Sequence, residues 1–129
     1  MENNYNSQMT IAHILLAHGS RDPGWRKPFE ELLEKCKKES PKKIYCLSYL
    51  ELCDPKLSDV VKDLLVNNHK ITTFNIHPLF LSSGVHVNDD IQKILSELRA
   101  NYPQKRFYLN NVIGKNSLVT NAIYKVVTS

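Results

Sequence analysis

The chain has 129 residues, of which 42% are hydrophobic and 23% are charged, and its formal net charge is +4. This length fits one domain with a buried core, the composition excludes a disordered chain, and the longest apolar runs are too short to cross a bilayer. Residues 1–9 are mostly polar and carry no signal-peptide segment, so we predict a flexible tail there and a single domain over residues 10–129. The three cysteines show no C-x-x-C spacing, which predicts buried free thiols in a reducing cytoplasm.

Much of the positive charge is concentrated in residues 35–43, which read KCKKESPKK. Such a run fits a solvated helix end and loop. A basic surface also suits a nucleic acid or a small polyanion. No aromatic residues are interleaved with these lysines, so we expect no nucleic-acid partner and keep the steering of a small polyanion as an alternative.

Two hydrophobic periods alternate along the chain, one typical of buried strands and one typical of helices. The apolar run IAHILLAH at residues 11–18 predicts a first strand that is buried on both faces. Helical spacing follows at Phe29, Leu32, Leu33 and Cys36. The segment KIYCLSYLEL at residues 43–52 predicts a second strand.

Asp54 and Pro55 predict the start of a second helix, as N-cap and first helical residue. The apolar stripe of this helix is Leu57, Val60, Val61, Leu64 and Leu65. Residues 70–81 predict the third strand, and residues 106–114 contain the fourth. The last two helices carry their apolar residues at Ile91, Ile94, Leu95 and Leu98, and at Leu118, Val119, Ala122, Ile123 and Val126.

Strands and helices therefore alternate as βαβαβαβα, which predicts an α/β protein with a parallel sheet and helices on both faces. Each crossover is expected to be right-handed. We predict a flavodoxin-like, doubly wound sheet of four strands in the order 2-1-3-4. In such sheets ligands bind beyond the carboxyl ends of the strands, next to the point where the strand order reverses.

Three side chains with metal-binding or acid–base chemistry follow the first three predicted strands: His18, Glu51 and His86. Because strand 1 lies between strands 2 and 3 in the predicted order, all three are expected to converge at one edge of the sheet. Two imidazoles suit a borderline divalent metal such as Co²⁺, Ni²⁺, Fe²⁺ or Zn²⁺, and so few protein ligands leave the ion exchangeable. A nearby carboxylate completes the metal shell or accepts protons.

Other polar residues have simpler interpretations. The segment AHGSRDPG lacks the G-x-S-x-G elbow, the Walker A loop and the G-x-G-x-x-G pattern, so we interpret Ser20 as a cap or turn residue rather than a nucleophile. His13 lies inside the first strand and is predicted to be structural, whereas His69 is predicted to lie in an exposed turn. His77 fits either core packing or support of the site, and we favour the core.

Three co-linear segments resemble the motifs of the class II tetrapyrrole chelatases, in particular the short, single-domain sirohydrochlorin chelatases. They are ILLAHGSRDP at 14–23, YLELCDPKL at 49–57 and PLFLSSGVHVNDDI at 78–91. The family patterns are A-H-G-S-R, [FY]-x-E-x-x-x-P and P-L-F-L-x-x-G-x-H-V-x-x-D-I. The matches are in order and span nearly the whole chain.

This resemblance implies a lyase that inserts Co²⁺, Ni²⁺ or Fe²⁺ into sirohydrochlorin, with release of two protons, in cobalamin or siroheme biosynthesis. It implies that His18 and His86 hold the metal, that His18 also accepts a proton, and that Glu51 is the acidic residue of the family. The implied macrocycle contacts are Ser20, Arg21, Lys56, Leu81, Ser82, Ser83, Gly84 and Val85. The metal is a substrate, and no nucleotide or redox cofactor is expected.

The chain resembles the short form of the family, and long members contain two such halves, so the resemblance implies a homodimer. The sequence departs from the family at His77, where an aliphatic residue is usual. That departure leaves open an altered metal preference or an extra ligand. The alternative function is a carrier that binds the metal or the tetrapyrrole without catalysing their union.

Overall fold

The computed structural model describes residues 9–129, so the predicted N-terminal tail lies outside the described residues except for Met9. Strands and helices alternate as the hydrophobic periods predict. The elements are β1 (Ile11–Ala17), α1 (Pro23–Glu39), β2 (Ile44–Tyr49), α2 (Leu57–Asn67), β3 (Thr73–Pro78), α3 (Val85–Asn101), β4 (Arg106–Leu109) and α4 (Ser117–Thr128). A short 3-10 turn at Ile113–Lys115 precedes α4.

The four strands form one parallel sheet in the order β2-β1-β3-β4, which confirms the predicted topology. In the register of the sheet, Leu15 of β1 lies beside Leu47 of β2 and beside His77 of β3. Because the strands are parallel, the loops after β1, β2 and β3 all leave from the same edge. The segments with the candidate site residues therefore begin at one end of the sheet.

The main core lies between the sheet and helices α2 and α3. Alternating residues of β1 and β3 face these helices, and thirteen residues of this core are buried. Phe74 of β3 stacks on Phe107 of β4 with ring centroids 5.1 Å apart. Full burial of one such large apolar side chain contributes roughly 1.5–3 kcal/mol, so this layer is the main source of stability.

The second face of the sheet is covered by α1. Trp25, Phe29 and Leu33 pack against a smaller buried cluster on β1 and β2 that contains Leu15 and Leu47. The start of α1 is fixed locally, because the Asp22 side chain accepts a hydrogen bond from the backbone N–H of Gly24 and Pro23 occupies the first helical position. Five residues thus connect the end of β1 to the start of this helix.

Helix α4 does not pack on either face of the sheet. It contacts mainly the adjacent 3-10 turn, and none of its residues is buried. Leu118, Val126 and Val127 are 78%, 75% and 76% exposed. The prediction of helices on both faces is met by α1 on one side and by α2 and α3 on the other, while the apolar stripe of α4 faces no partner within residues 9–129.

Two local predictions were wrong. Helix α2 begins at Leu57 with Lys56 as the N-cap, and not at Asp54 and Pro55, which are joined to each other by a cis peptide bond. The cause is a tertiary contact: Tyr49 at the end of β2 pairs with Lys56 in an isolated parallel bridge, which keeps the intervening chain out of the helix. The three cysteines are free, as predicted, but they are only partly buried.

No helix within residues 9–129 has both the length and the apolar content that a membrane crossing requires.

Candidate active site

His18 and Glu51 are brought together where β1 and β2 end. Beyond the strands the backbone pairing continues, since the N–H of Leu50 donates to Ala17 O at 2.9 Å and the N–H of Glu51 donates to His18 O at 3.0 Å. The side chains meet as a result: His18 Nε2 lies 3.2 Å from Glu51 Oε1. The predicted proximity of these two residues is thus present in the fold.

Gly19 makes this close approach possible. Its φ is +105°, and a Cβ at this position would lie 1.7 Å from the carbonyl oxygen of Glu51. No residue with a side chain fits there, because both the left-handed backbone and the neighbouring carbonyl exclude it. The glycine of the His-Gly pair therefore determines the distance between the two strand ends.

Leu52, directly after Glu51, also has a left-handed backbone, with φ 70°. For a bulky residue this conformation is uncommon and costs about 1–2 kcal/mol. Strained residues of this kind cluster at functional sites, where the surrounding structure holds them in place. The strain here accompanies the turn that directs the Glu51 carboxylate toward His18.

The pair is open to solvent, with the side chains of His18 and Glu51 42% and 53% exposed. An ion pair this exposed contributes little to stability, so its arrangement matters for chemistry rather than for folding. His18 Nδ1 lies 3.3 Å from the carbonyl oxygen of Gly19, which gives the imidazole a second acceptor. A neutral imidazole has one N–H for these two acceptors, so the tautomer of His18 determines which of them accepts the hydrogen bond.

His86 does not join this pair directly. It is the second residue of α3 and is exposed, so it lies inside the first helical turn and not in the break before the helix. Within residues 9–129 no group of three or more His, Cys, Asp and Glu side chains is placed to hold a metal ion. The metal site of His18 and His86 stays a prediction.

A cleft of about 260 Å³ lies between Glu51 and helix α3. It is lined by Leu50, Glu51, Asp90, Lys93, Ile94 and Glu97. Asp90 lies four residues after His86, and residues at this spacing occupy the same face of a helix. His86 therefore lies on the face of α3 that carries Asp90, one turn closer to the amino end of the helix. Asp90 has no role in the sequence prediction, although the spacing H-x-x-x-D already indicates that both side chains share a face.

Three residues that are predicted to contact the substrate, Ser20, Arg21 and Lys56, differ in their surroundings. Ser20 Oγ accepts a hydrogen bond from the N–H of Asp22 at 3.1 Å, which matches its interpretation as a turn residue. Arg21 is exposed. Lys56 Nζ is paired with Asp54 Oδ1 at 2.9 Å, and thus already binds a carboxylate.

The predicted macrocycle loop, residues 81–85, connects β3 to α3. Leu81 and Val85 are 65% and 73% exposed, which gives the loop an apolar surface. Its base is tightly held, because the N–H of Gly114 donates to Phe80 O at 3.0 Å and a Cβ on Gly114 would lie 1.8 Å from Leu81 O. Sequence reasoning gave Gly114 no role, since only the folded chain places it under this loop.

Two prominent surface features lie away from the site. The lysine-rich segment 35–43 precedes β2 and so lies at the amino edge of the sheet, opposite the strand ends with His18 and Glu51. A cleft of about 420 Å³ lies between α1 and α2 beside the outer strand β2, and its lining contains none of the three predicted catalytic residues. Neither feature contributes to the candidate site.

His77 differs from its predicted place in the core. It is only partly buried, and its Nε2 lies 3.3 Å from Nδ1 of His13 on the neighbouring strand. His69 is exposed in a turn, as predicted. The pair of His13 and His77 is separate from the strand-end site, because His13 precedes His18 by five strand residues, a rise of about 16 Å.

Solved structures share this fold, among them the following two. A putative cobalamin (vitamin B12) biosynthesis CbiX protein from Marinobacter aquaeolei VT8 matches with a TM-score of 0.79 and 33% identity over 93% of both chains. The sirohydrochlorin chelatase SirB from Bacillus subtilis subspecies spizizenii, in complex with cobalt, matches with a TM-score of 0.78 and 25% identity over 93% of this chain and 50% of that chain. The protein thus has the α/β architecture found in chelatases.

The chain belongs to the CbiX family, whose model matches residues 12–129. The sirohydrochlorin cobaltochelatase of Methanopyrus kandleri is 31% identical over 85 residues, which are 66% of this chain and 58% of that protein. The chain thus spans less than two thirds of the length of this curated relative. The resemblance seen in the three sequence motifs is confirmed.

Proposed function

We propose that this protein is a sirohydrochlorin chelatase that inserts a divalent metal ion into the tetrapyrrole, with Co²⁺ preferred over Ni²⁺ and Fe²⁺. The observation that carries the proposal is the His18–Glu51 pair, 3.2 Å apart at the carboxyl edge of a CbiX-family sheet. The preference for Co²⁺ is supported by the cobaltochelatase of Methanopyrus kandleri and by the cobalt complex of SirB.

Insertion replaces two pyrrole N–H protons with one divalent ion, so the site has to deliver the ion and remove two protons. His18 and His86 bind the ion through neutral imidazole, and so few protein ligands allow the ion to leave for the four ring nitrogens. Once the ion has left, His18 accepts one proton and Glu51 accepts the other. The adjoining cleft contains Asp90 and Glu97 besides Glu51 and only Lys93 against them, so its net negative charge attracts the incoming cation.

The macrocycle binds over the loop at residues 81–85. The exposed Leu81 and Val85 offer an apolar surface to the flat ring, and Gly84 has nothing within 4 Å of its Cβ position. Ser20, Ser82 and Ser83 supply polar contacts at its margin. The substrate carboxylates bind to Arg21 and Lys56, and at Lys56 a substrate carboxylate displaces Asp54.

The active unit is a homodimer in this proposal. The cleft of about 260 Å³ beside Glu51 is smaller than the 300–1,000 Å³ that small-molecule sites usually enclose, so one chain does not surround a tetrapyrrole. SirB has the same fold in a chain about twice as long, of which this protein matches 50%. A second copy would take the place of the other half of SirB.

Helix α4 supports the same assembly. It has twelve residues and an exposed apolar stripe, and an isolated helix of this length is marginal in water. A second copy that buries Leu118, Ile123 and Val126 would stabilise the helix. We place the protein in the cytoplasm, where the free thiols of its cysteines persist.

The experiment follows metal insertion by the absorbance change of metal-free sirohydrochlorin mixed with Co²⁺. The full chain is expected to accelerate insertion over the protein-free rate, and His18→Ala and His86→Ala are expected to abolish the acceleration while His69→Ala keeps it. His69 is the matched control because it is exposed and only its backbone carbonyl is hydrogen-bonded, to Lys105. A wild-type protein that binds both components without accelerating their union would be a carrier and would overturn the proposal.

A further inference from the structure

His13 and His77 form a second pair of imidazoles on the sheet, on adjacent strands. His13 Nδ1 and His77 Nε2 are 3.3 Å apart, and the two rings are stacked with centroids separated by 5.5 Å. On its other side His13 stacks on Tyr45 with centroids 5.3 Å apart. The orientation of His13 is therefore fixed from both neighbouring strands.

The separation of the two nitrogens matches that of two ligands on one metal ion. Zinc and similar divalent ions lie about 2.0–2.1 Å from imidazole nitrogen, and two such ligands at the tetrahedral angle are about 3.3–3.4 Å apart. The observed 3.3 Å equals that value. Each ring has to turn so that its lone pair points at the ion instead of at the other nitrogen, but the two nitrogens do not have to move apart.

Both imidazoles are kept in the form that binds metal. Burial lowers the pKa of His77 and the neighbouring His13 lowers it further. Burial, and then the positive charge of Lys43, lowers the pKa of His13. Neutral rings carry one N–H each, so a shift of one ring to its other tautomer leaves both facing nitrogens free to bind an ion without loss of a proton.

Water is the source of the remaining ligands. The nearest amides face the histidines with nitrogen, since Asn75 Nδ2 lies 3.5 Å from His13 Nδ1 and Asn110 Nδ2 lies 3.5 Å from His77 Nδ1, while Asn75 Oδ1 accepts a hydrogen bond from the Asn110 amide. A cavity of about 400 Å³ is lined by His77 and Asn110 and has room for water beside His77. Two waters complete the four ligands that a tetrahedral ion takes.

We propose that His13 and His77 hold a second divalent cation of the Co²⁺, Ni²⁺ or Zn²⁺ class, with water as its other ligands. The site is independent of the strand-end residues, because His18 lies three residues beyond Leu15, the β1 partner of His77, a rise of about 10 Å. It does not depend on the proposed chelatase activity.

The test uses Co²⁺ alone and the full chain with His18→Ala, which removes the strand-end imidazole. Equilibrium dialysis is expected to give one bound Co²⁺ per chain, with the visible absorption of tetrahedral Co²⁺. Adding His77→Leu, or His13→Leu, is expected to weaken this binding at least tenfold and to remove the absorption band. Adding His69→Ala instead is the matched control and is expected to change neither.

Folding of each variant is checked by circular dichroism, and His77→Asn replaces His77→Leu if the latter does not fold. Equal Co²⁺ binding with and without the two sheet histidines, or no binding in the His18→Ala protein, would show that the pair is only hydrogen-bonded and would overturn the proposal. The chelatase proposal would fail in a different experiment, the insertion assay, if the wild-type chain did not accelerate metal insertion.

Discussion

His18 Nε2 and Glu51 Oε1 lie 3.2 Å apart although the residues belong to different strand ends, and neither side chain is buried. An exposed pair of this kind adds little to stability. Its position is nevertheless fixed by the backbone hydrogen bonds that Leu50 and Glu51 donate to Ala17 and His18, and Leu52 beside it has a left-handed backbone. The chain thus holds in place an imidazole and a carboxylate whose contact the fold itself does not need.

Replacing Glu51 with glutamine is expected to lower the rate of metal insertion without changing the stability of the fold. The amide keeps the shape of the side chain but no longer accepts a proton, and general acid–base groups typically contribute 10²- to 10⁴-fold to a rate. We expect the Co²⁺ insertion rate of Glu51→Gln to fall on the order of a hundredfold, with the melting temperature unchanged.

Glu34→Gln is the matched control for this variant. Glu34 is also in an exposed ion pair, 3.8 Å from Lys37, but it lies on α1 away from the strand ends. Its insertion rate is expected to equal that of the wild type. A Glu51→Gln protein with full activity would remove the carboxylate from the mechanism.

Replacing Gly19 with alanine is expected to damage both folding and activity. The added Cβ would lie 1.7 Å from the carbonyl oxygen of Glu51, and φ of +105° is unfavourable for alanine. We expect a loss of about 2 kcal/mol or more in the free energy of unfolding, measured by urea denaturation, because the backbone has to move. Gly84→Ala provides the control, since no atom lies within 4 Å of its Cβ position; equal stability of the two variants would contradict this account.

The topology and the His18–Glu51 contact were predictable from sequence because both follow from local patterns. Apolar periodicity identified four strands and four helices, and a strand order of 2-1-3-4 makes the ends of β1 and β2 neighbours. The start of helix α2 was predicted wrongly at Asp54 and Pro55, because the bridge between Tyr49 and Lys56 overrides the local capping signal.

The contacts that sequence did not reveal depend on register between strands. His13 and His77 meet only because Leu15 of β1 lies beside His77, and the network reaches Asn110, whose side-chain amide donates to Ile76 O at 2.9 Å. No spacing along one strand contains that information. Likewise, the apolar stripe of α4 predicts a helix with a packing partner but does not identify that partner.

Stability is expected to depend on pH through the two sheet histidines. Folding lowers the pKa of both His13 and His77 from the ordinary value of 6.5, so the unfolded chain binds more protons than the folded chain below that pH. The contribution of the two histidines to the free energy of unfolding is fully present above pH 6.5. It decreases as the pH falls toward the folded-state pKa values. We expect the melting temperature, measured with EDTA present, to fall more between pH 7 and pH 5 for the wild type than for a His13→Leu, His77→Leu double variant; equal changes would contradict the assignment.

Helix α4 is expected to control assembly. Ile123 and Val126 lie on its exposed apolar stripe, 41% and 75% exposed in the single chain. If a second copy buries them, an aspartate at either position places an unpaired charge in the interface, and burying an unpaired charge is strongly unfavourable. We expect the wild type to sediment as a dimer at micromolar concentration and Ile123→Asp, Val126→Asp to sediment as a monomer. Asn121→Asp carries a new charge on the other side of the same helix and is expected to stay dimeric.

The monomeric variant is also expected to lose metal insertion, because one chain has only the small cleft beside Glu51. Its far-ultraviolet circular dichroism spectrum is expected to match that of the wild type, which would show that the fold is kept. A wild-type protein that is monomeric and fully active would show that the exposed stripe of α4 serves another partner.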